Sequence, residues 1–386
     1  MSAKKIPRRQ AIPILYTRGT HYDVGFDMGR TFGSMIRSFL ELCGPLNETY
    51  LPLYDQPEGR EIYNQTLESV KRSFPQYIRE LEGVADGAQV EFHKLFLLHM
   101  DDITPIALGQ ENLIPAAPVG CSDIIVNNDS FRILGHTEDA LSAQLNHYYF
   151  VVADIISDTP QGKYNVKEEK FMSLCYAGHL PGYTMNFNRH GLVFSINTLS
   201  AANLRSGKTP RHFITRALLS AQNYDQAVTI LRDSGVGAGD GCSINMTFLN
   251  NNDPFTFYNI EMGPVEQGAN ESPLDIKVIN NNEHNFHCNS YLRLPVKEVG
   301  GAIVDSSVAR METFSSYQPP KTKEDVIKLL GDQTNPPHTV FRENGDVDEY
   351  VKTIALGVFD CINKTCTLYS DNPTTNEPLA VISMQL

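Results

Sequence analysis

The tripeptide Gly120-Cys121-Ser122 separates two unlike halves of this chain. Residues 104–119 before it contain Pro105, Gly109, Pro115 and Pro118, a composition that cannot hold a helix and serves a strand poorly. An irregular stretch of that length inside a compact chain is usually functional or disordered. Directly after it comes Asp123-Ile124-Ile125-Val126, an apolar run that opens a strand. If the Gly120–Cys121 bond is cut, Cys121 carries a free α-amino group beside its thiol, a nucleophile with its own base. Glycine accepts backbone angles closed to other residues, so strain can be focused on that bond. The plain alternative is a buried cysteine after an ordinary loop, and a motif this short often matches by chance.

The two halves differ in their periodicity. Before residue 104, apolar residues recur at helical spacing. Thr20 is placed to cap a helix through Val24, Met28, Phe32, Ile36 and Leu40, and a second helix runs from Ile62 to Leu81 with a kink at Pro75. A third covers Glu91 to Met100, and Ile12 to Tyr16 reads as a short strand. After Cys121 the chain is strand-rich, from Ile124–Val126 to Leu379–Met384, with a turn at Asn188-Arg189-His190-Gly191. Helical patterns interrupt it at 209–233, 305–314 and 323–330. Strands flanked by helices at both ends imply sheets covered by helices on their outer faces. No linker divides the chain, so the break at 104–120 reads as a cleavage loop rather than a domain boundary.

Composition excludes several functions. A net charge of −13 over 386 residues argues against nucleic acid or an anionic membrane as partner. No apolar run approaches the roughly 18–20 residues of a membrane span, and the first residues lack a secretory signal. Seven widely spaced cysteines without a C-x-x-C pair suggest a reduced, cytoplasmic protein. The glycine-rich run Gly235–Gly241 lacks the Lys-Ser/Thr sequel of a phosphate loop, and its plausible use is close backbone approach. His284 and His287 match a zinc signature only loosely, so both read as structural.

Other residues gather around Cys121 in principle. A hairpin through Asn127–Ser130 would return the chain along Gly135-His136-Thr137-Glu138-Asp139 and bring Asp139 beside Cys121, where a carboxylate could hold an ammonium or a developing charge. Asn245 interrupts an apolar strand, and its amide can donate to an oxyanion or to a neighbouring carbonyl. Arg310 offers a guanidinium fork to a carboxylate or oxyanion, or a surface salt bridge.

These segments resemble a known family. Thr20-His21-Tyr22-Asp23-Val24-Gly25, Leu81-Glu82-Gly83-Val84-Ala85-Asp86-Gly87, Gly120-Cys121-Ser122, Gly135–Asp139 and Ser306–Arg310 are similar to the isopenicillin N acyltransferase-like N-terminal-nucleophile hydrolases, over nearly the full length. Pro7–Pro13, Lys163–Glu169 and Gly178–Tyr183 resemble the members that hydrolyse β-alanyl amides of biogenic amines. The resemblance implies an α+β fold, the αββα four-layer sandwich. It implies self-cleavage at Gly120–Cys121 into fragments 1–120 and 121–386 that stay associated as one domain, with further dimerisation open to them. Cys121 is then the nucleophile, joined by Asp139, by Asn245 as oxyanion donor and by Arg310. The substrates implied are N-β-alanyl-dopamine and β-alanyl-histamine (carcinine), cleaved to β-alanine and the free amine without metal or organic cofactor. Many members carry an Asn-Trp-Asp type segment where this tryptophan-free chain has Thr137-Glu138-Asp139, which makes Glu138 the candidate partner for the β-alanyl ammonium. An acyltransferase passing the same thioester to an amine, and a non-catalytic binding protein on the same scaffold, are the alternatives.

Overall fold

The computed structural model describes residues 7–113, 120–159, 161–250, 255–343 and 351–386. Two sheets carry the fold. The larger has eight strands in the order Ile14–Gly19, Tyr148–Ile156, Glu168–Tyr176, Met185–Asn188, Leu192–Leu199, Gly241–Phe248, Phe257–Met262 and Leu274–Ile279. The smaller has six, in the order Glu283–His287, Gly120–Asn128, Phe131–Leu141, Val351–Asp360, Thr365–Tyr369 and Ala380–Ser383. Neighbours pair antiparallel except Ile14–Gly19, which runs parallel to Tyr148–Ile156.

Three separate apolar layers follow from strand alternation. In Tyr148–Ile156, Tyr149 and Val151 pack with the N-terminal helices, while Phe150 and Val152 pack with Ile125, Ile354 and Phe359 of the other sheet. Successive side chains of a strand point to opposite faces, and both faces are apolar because both are covered. On the far side of the smaller sheet, Ile124, Val126 and Ile133 meet Phe314, Val326 and Leu330 of two C-terminal helices. Three cores between four layers make an αββα sandwich. Truncating an inner aromatic such as Phe150 to alanine would cost about 3–5 kcal/mol.

The N-terminal helices form as their sequence dictates. Thr20 and Asp23 make a reciprocal capping box at the start of His21–Leu42, each accepting the other's backbone N–H. The helix expected from Ile62 to Leu81 is instead two, Pro57–Ser73 and Pro75–Ala88. Pro75 sits at the first helical position, where its missing N–H costs nothing. His21–Leu42 and Pro75–Ala88 lie almost backbone to backbone. A Cβ added at Gly25 or Gly29 would overlap a carbonyl oxygen of the second helix, and one at Gly83 or Gly87 a carbonyl of the first. The Gly-x-x-x-Gly spacing in each helix is thus a packing requirement.

Two expectations are corrected. Residues 104–119 are not wholly irregular, since Ile103–Ala107 is a short helix and Glu111–Leu113 a single 3-10 turn. Pro105 falls in the first turn of that helix, where no backbone donor is required. The segment 114–119, with Pro115 and Pro118, lies outside the described residues. Glu283–His287, not expected as a strand, pairs with the strand Gly120–Asn128.

Candidate active site

Gly120–Asn128 and Phe131–Leu141 form a hairpin with only Asp129 and Ser130 at its tip, which fixes the register. Cys121 faces Glu138, and Gly120 faces Asp139. The residue beside the thiol is therefore Glu138, one place from the carboxylate expected there. Cys121 Sγ lies 3.8 Å from Glu138 Oε1. Asp139, fully buried, accepts from the Thr353 hydroxyl at 2.6 Å, with Arg342 Nε at 3.6 Å. Burial raises its pKa against the pull of Arg342 and Arg310.

Arg310 and Asn289 clasp the Gly120–Cys121 junction. Arg310 is 1% exposed, on the helix Ala302–Ser316, so it is no surface ion-pair residue. It donates to the Cys121 carbonyl oxygen and to Ser122 Oγ, both at 2.8 Å, and to Asn289 Oδ1 at 2.7 Å. Asn289 Oδ1 also accepts the Cys121 backbone N–H at 2.9 Å, and Asn289 Nδ2 donates to the Thr198 carbonyl at 3.0 Å. The need for glycine at 120 follows: a Cβ there would overlap the Asn289 amide. The close approach of Asn289 is what selects glycine at this position.

Asn245 stands further off. It faces the space between the sheets and is fully buried. Its Nδ2 donates to Asn197 Oδ1 at 2.9 Å, and its Oδ1 accepts from Asn259 at 2.8 Å. Asn197 in turn donates to Asp123 Oδ2 at 2.6 Å, and Ser195 donates to the other Asp123 oxygen. His136 bridges Asp123 and Glu138, with Nδ1 and Nε2 each 2.8 Å from a carboxylate oxygen. A continuous polar chain thus runs from Asn259 through Asn245, Asn197, Asp123, His136 and Glu138 to the thiol. Burial pushes the His136 imidazole down, but Asp123 outweighs it and raises the pKa well above the ordinary value. Both ring nitrogens then donate. Burial, then the Glu138 charge, pushes the Cys121 thiol up to about 12.

Cys121, Glu138 and Asp139 line a cavity of about 160 Å³ whose other wall comes from the N-terminal half, including Phe39, Tyr50, Asp101 and Asp102. Asp101 ends the helix Phe92–Met100 at φ 50°, a backbone conformation that non-glycine residues adopt at a cost of order 1–3 kcal/mol. It pairs with Arg211, and the Tyr50 hydroxyl reaches Asp102 at 2.9 Å and Asp101 at 3.2 Å. Burial, then the Asp101 charge, raises Asp102 to about 7. Neutral histidines add a second wall: burial lowers His179 to about 4 and holds His212 well below its ordinary value, and His212 stacks on Tyr183 at 3.6 Å between ring centroids. Cys121, His136 and Glu138 are the one set of three metal-ligand side chains brought together among the described residues, their donor atoms within 4.8 Å of each other. His284 and His287 do not join it; His287 pairs with Glu261 at 3.0 Å.

Comparison with known proteins decides the family. A profile described as acyl-coenzyme A:6-aminopenicillanic acid acyl-transferase matches residues 126–375. The β-alanyl-dopamine/carcinine hydrolase of Drosophila melanogaster is 63% identical over 378 residues, 98% of this chain and 97% of that protein. The chain belongs to the acyl-coenzyme A:6-aminopenicillanic acid acyl-transferase family. The 40 kDa form of that acyltransferase from Emericella nidulans is 21% identical, over 95% of this chain and 94% of its own. Among solved structures, a variant of the conjugated bile acid hydrolase of Clostridium perfringens aligns with a TM-score of 0.40 at 10% identity, over 68% of this chain and 92% of its own.

In this acyl-transferase family member, three residues hold places at the junction that the sequence alone left without a role: His136, Asp123 and Asn289. His136 was in view as part of Gly135–Asp139, and only the hairpin register shows it bracketed by carboxylates. Asn289 follows a strand of polar and aromatic residues, Glu-His-Asn-Phe-His, which carries no clean alternation to reveal it.

Proposed function

We propose that this chain is a self-processing cysteine amidase that hydrolyses β-alanyl amides of biogenic amines. The observation that carries the reading is a thiol directly after a glycine, opening on a cavity that Asp101 and Asp102 also line. The 63% identity to a β-alanyl-dopamine/carcinine hydrolase supports the substrate class.

After cleavage the Cys121 nitrogen is an α-amine. Its unperturbed pKa of about 7.7–8.0 lies close to the thiol's unperturbed value of about 8.5, so proton transfer between them is nearly balanced before burial raises the thiol. The thiolate attacks the substrate carbonyl, the amine departs with that proton, and water hydrolyses the β-alanyl thioester. Asn289 takes the place of Asn245 at the junction in this proposal: its Oδ1 accepts the Cys121 N–H, the nitrogen that becomes the α-amine, while Asn245 donates to Asn197. Arg310 fixes Asn289 and the Cys121 carbonyl. Asn245 acts at a distance, by holding Asn197 against Asp123. Both oxygens of Glu138 are engaged, by His136 and Tyr176, so the β-alanyl ammonium falls to Asp102 rather than to Glu138. The N-terminal fragment supplies an edge strand and one cavity wall, which favours lasting association of the two pieces.

The test is intact-mass measurement of fresh protein, with amine release from N-β-alanyl-dopamine, carcinine and N-acetyl-dopamine. Fragments of 1–120 and 121–386, and release from the β-alanyl compounds at least tenfold faster than from the acetyl one, are expected. Cys121→Ala is expected to stay one inactive chain. A wild-type protein that is active yet uncut, or a Cys121→Ala variant that is cut, defeats the self-processing reading. An acyltransferase, which the family description keeps in view, would divert product from free β-alanine when a second amine is added.

A further inference from the structure

This inference rests on the self-cleavage reading. During turnover the α-amine of Cys121 is available as a base. During self-cleavage it is not, because that nitrogen is the amide of the bond being cut. Its lone pair is delocalised into the Gly120 carbonyl, and its N–H is already donated to Asn289 Oδ1 at 2.9 Å. The buried thiol is also fully protonated at neutral pH, its pKa pushed up to about 12 by burial and by Glu138. Maturation therefore needs a proton acceptor that turnover does not.

We propose that Glu138, held by His136 and Asp123, is the base of self-cleavage, so that the enzyme uses one base to mature and another to turn over. Glu138 Oε1 is 3.8 Å from Cys121 Sγ, the distance of a weak S–H···O hydrogen bond. The same oxygen accepts from the Tyr176 hydroxyl, and Oε2 accepts from His136 Nε2 at 2.8 Å. Three donors converge on one carboxylate, and only the thiol loses its proton in the reaction. His136 is locked in turn by Asp123, on which Asn197 and Ser195 also donate. That support keeps Glu138 aimed at the thiol in a buried site where no bulk water competes.

The step balances. The Cys121 S–H proton passes to Glu138 Oε1, and Sγ attacks the Gly120 carbonyl carbon. The C–N bond breaks, and the departing nitrogen takes the proton back from Glu138, becoming the α-amine. A thioester now joins Gly120 to Cys121 Sγ. Water hydrolyses it to the Gly120 carboxylate and the free thiol. Glu138 ends as it began, and the base of the next reaction has been created by the first.

The test follows cleavage of full-length Glu138→Gln and His136→Gln by intact mass over time, with turnover measured per cut molecule. Gln at 138 keeps the size and one acceptor oxygen but cannot take the proton at neutral pH. Cleavage in Glu138→Gln is expected to slow at least a hundredfold, and more than turnover per cut molecule does by tenfold or more. His136→Gln slows it in the same direction by a smaller factor. Added hydroxylamine, which intercepts thioesters, accelerates wild-type cleavage and leaves Glu138→Gln uncut. Should Glu138→Gln not fold, as judged by its melting profile, His136→Gln carries the test by the same split. Cleavage of a folded variant at the wild-type rate, or equal loss of cleavage and turnover, overturns the proposal. Wild-type protein that is never cut defeats the underlying reading instead.

Discussion

At the scale of single residues, the junction is built by steric exclusion as much as by chemistry. Gly120 leaves room for the Asn289 amide, which holds the Cys121 nitrogen and is itself held by Arg310. Gly120→Ala inserts a methyl group where the Asn289 oxygen lies, so Asn289 must swing away. We expect self-cleavage in Gly120→Ala to slow by about tenfold or more, since an unmade buried hydrogen bond costs roughly 1–3 kcal/mol. An intact-mass time course measures this, and an unchanged rate would mean that Asn289 plays no part in cleavage. Cys121 was legible in the sequence because a glycine–cysteine pair met an apolar strand after a helix-breaking stretch. Glu138 and Asp139 were legible as a pair and misassigned by one place. A one-residue change in register exchanges the two faces of a strand, and only the two-residue tip at Asp129 and Ser130 decides it. Asn245 was legible as a polar residue in an apolar strand, but its partners come from two neighbouring strands far away in sequence.

Among the elements, the helices were read well because their signals are local. A capping box, a period of apolar residues and a proline at the first turn are all contained within one segment. The strand Glu283–His287 was missed because its formation depends on a partner more than a hundred residues earlier. The glycines of the helices His21–Leu42 and Pro75–Ala88 show a middle case: their four-residue spacing is visible in sequence, and their purpose appears only when the two helices meet. Gly83→Val is expected to force those helices apart and lower stability by about 1–3 kcal/mol, the usual cost of overpacking. The midpoint of denaturant unfolding reports it, and a midpoint within error of wild type would show that the contact tolerates separation.

Across the whole molecule, the cavity lies where residues 1–120 and 121–386 meet. Its thiol and Glu138 come from the strand-rich part, and Tyr50, Asp101 and Asp102 come from the helical part. No local pattern announces such a seam, although the helix Phe92–Met100 that delivers Asp101 was expected. The seam also sets a pH dependence. Burial and the neighbouring Asp101 raise Asp102 to about 7. An acid whose pKa is raised on folding binds its proton more tightly in the native state, so this group contributes less stability as pH rises from about 4 to about 7. A bound alkylammonium, with an unperturbed pKa of about 10, favours the ionised carboxylate and draws the proton off. Binding of a β-alanyl substrate should therefore weaken as pH falls through about 7. An N-acetyl amide lacks the ammonium and should not follow. The thiol and α-amine titrate equally for both compounds, so the ratio of the two kcat/KM values isolates Asp102. That ratio is expected to fall several-fold from about one unit above pH 7 to about two units below it, and to flatten in Asp102→Asn. A ratio independent of pH in the wild type, or a pH dependence that survives in Asp102→Asn, would place the ammonium against another carboxylate of the cavity.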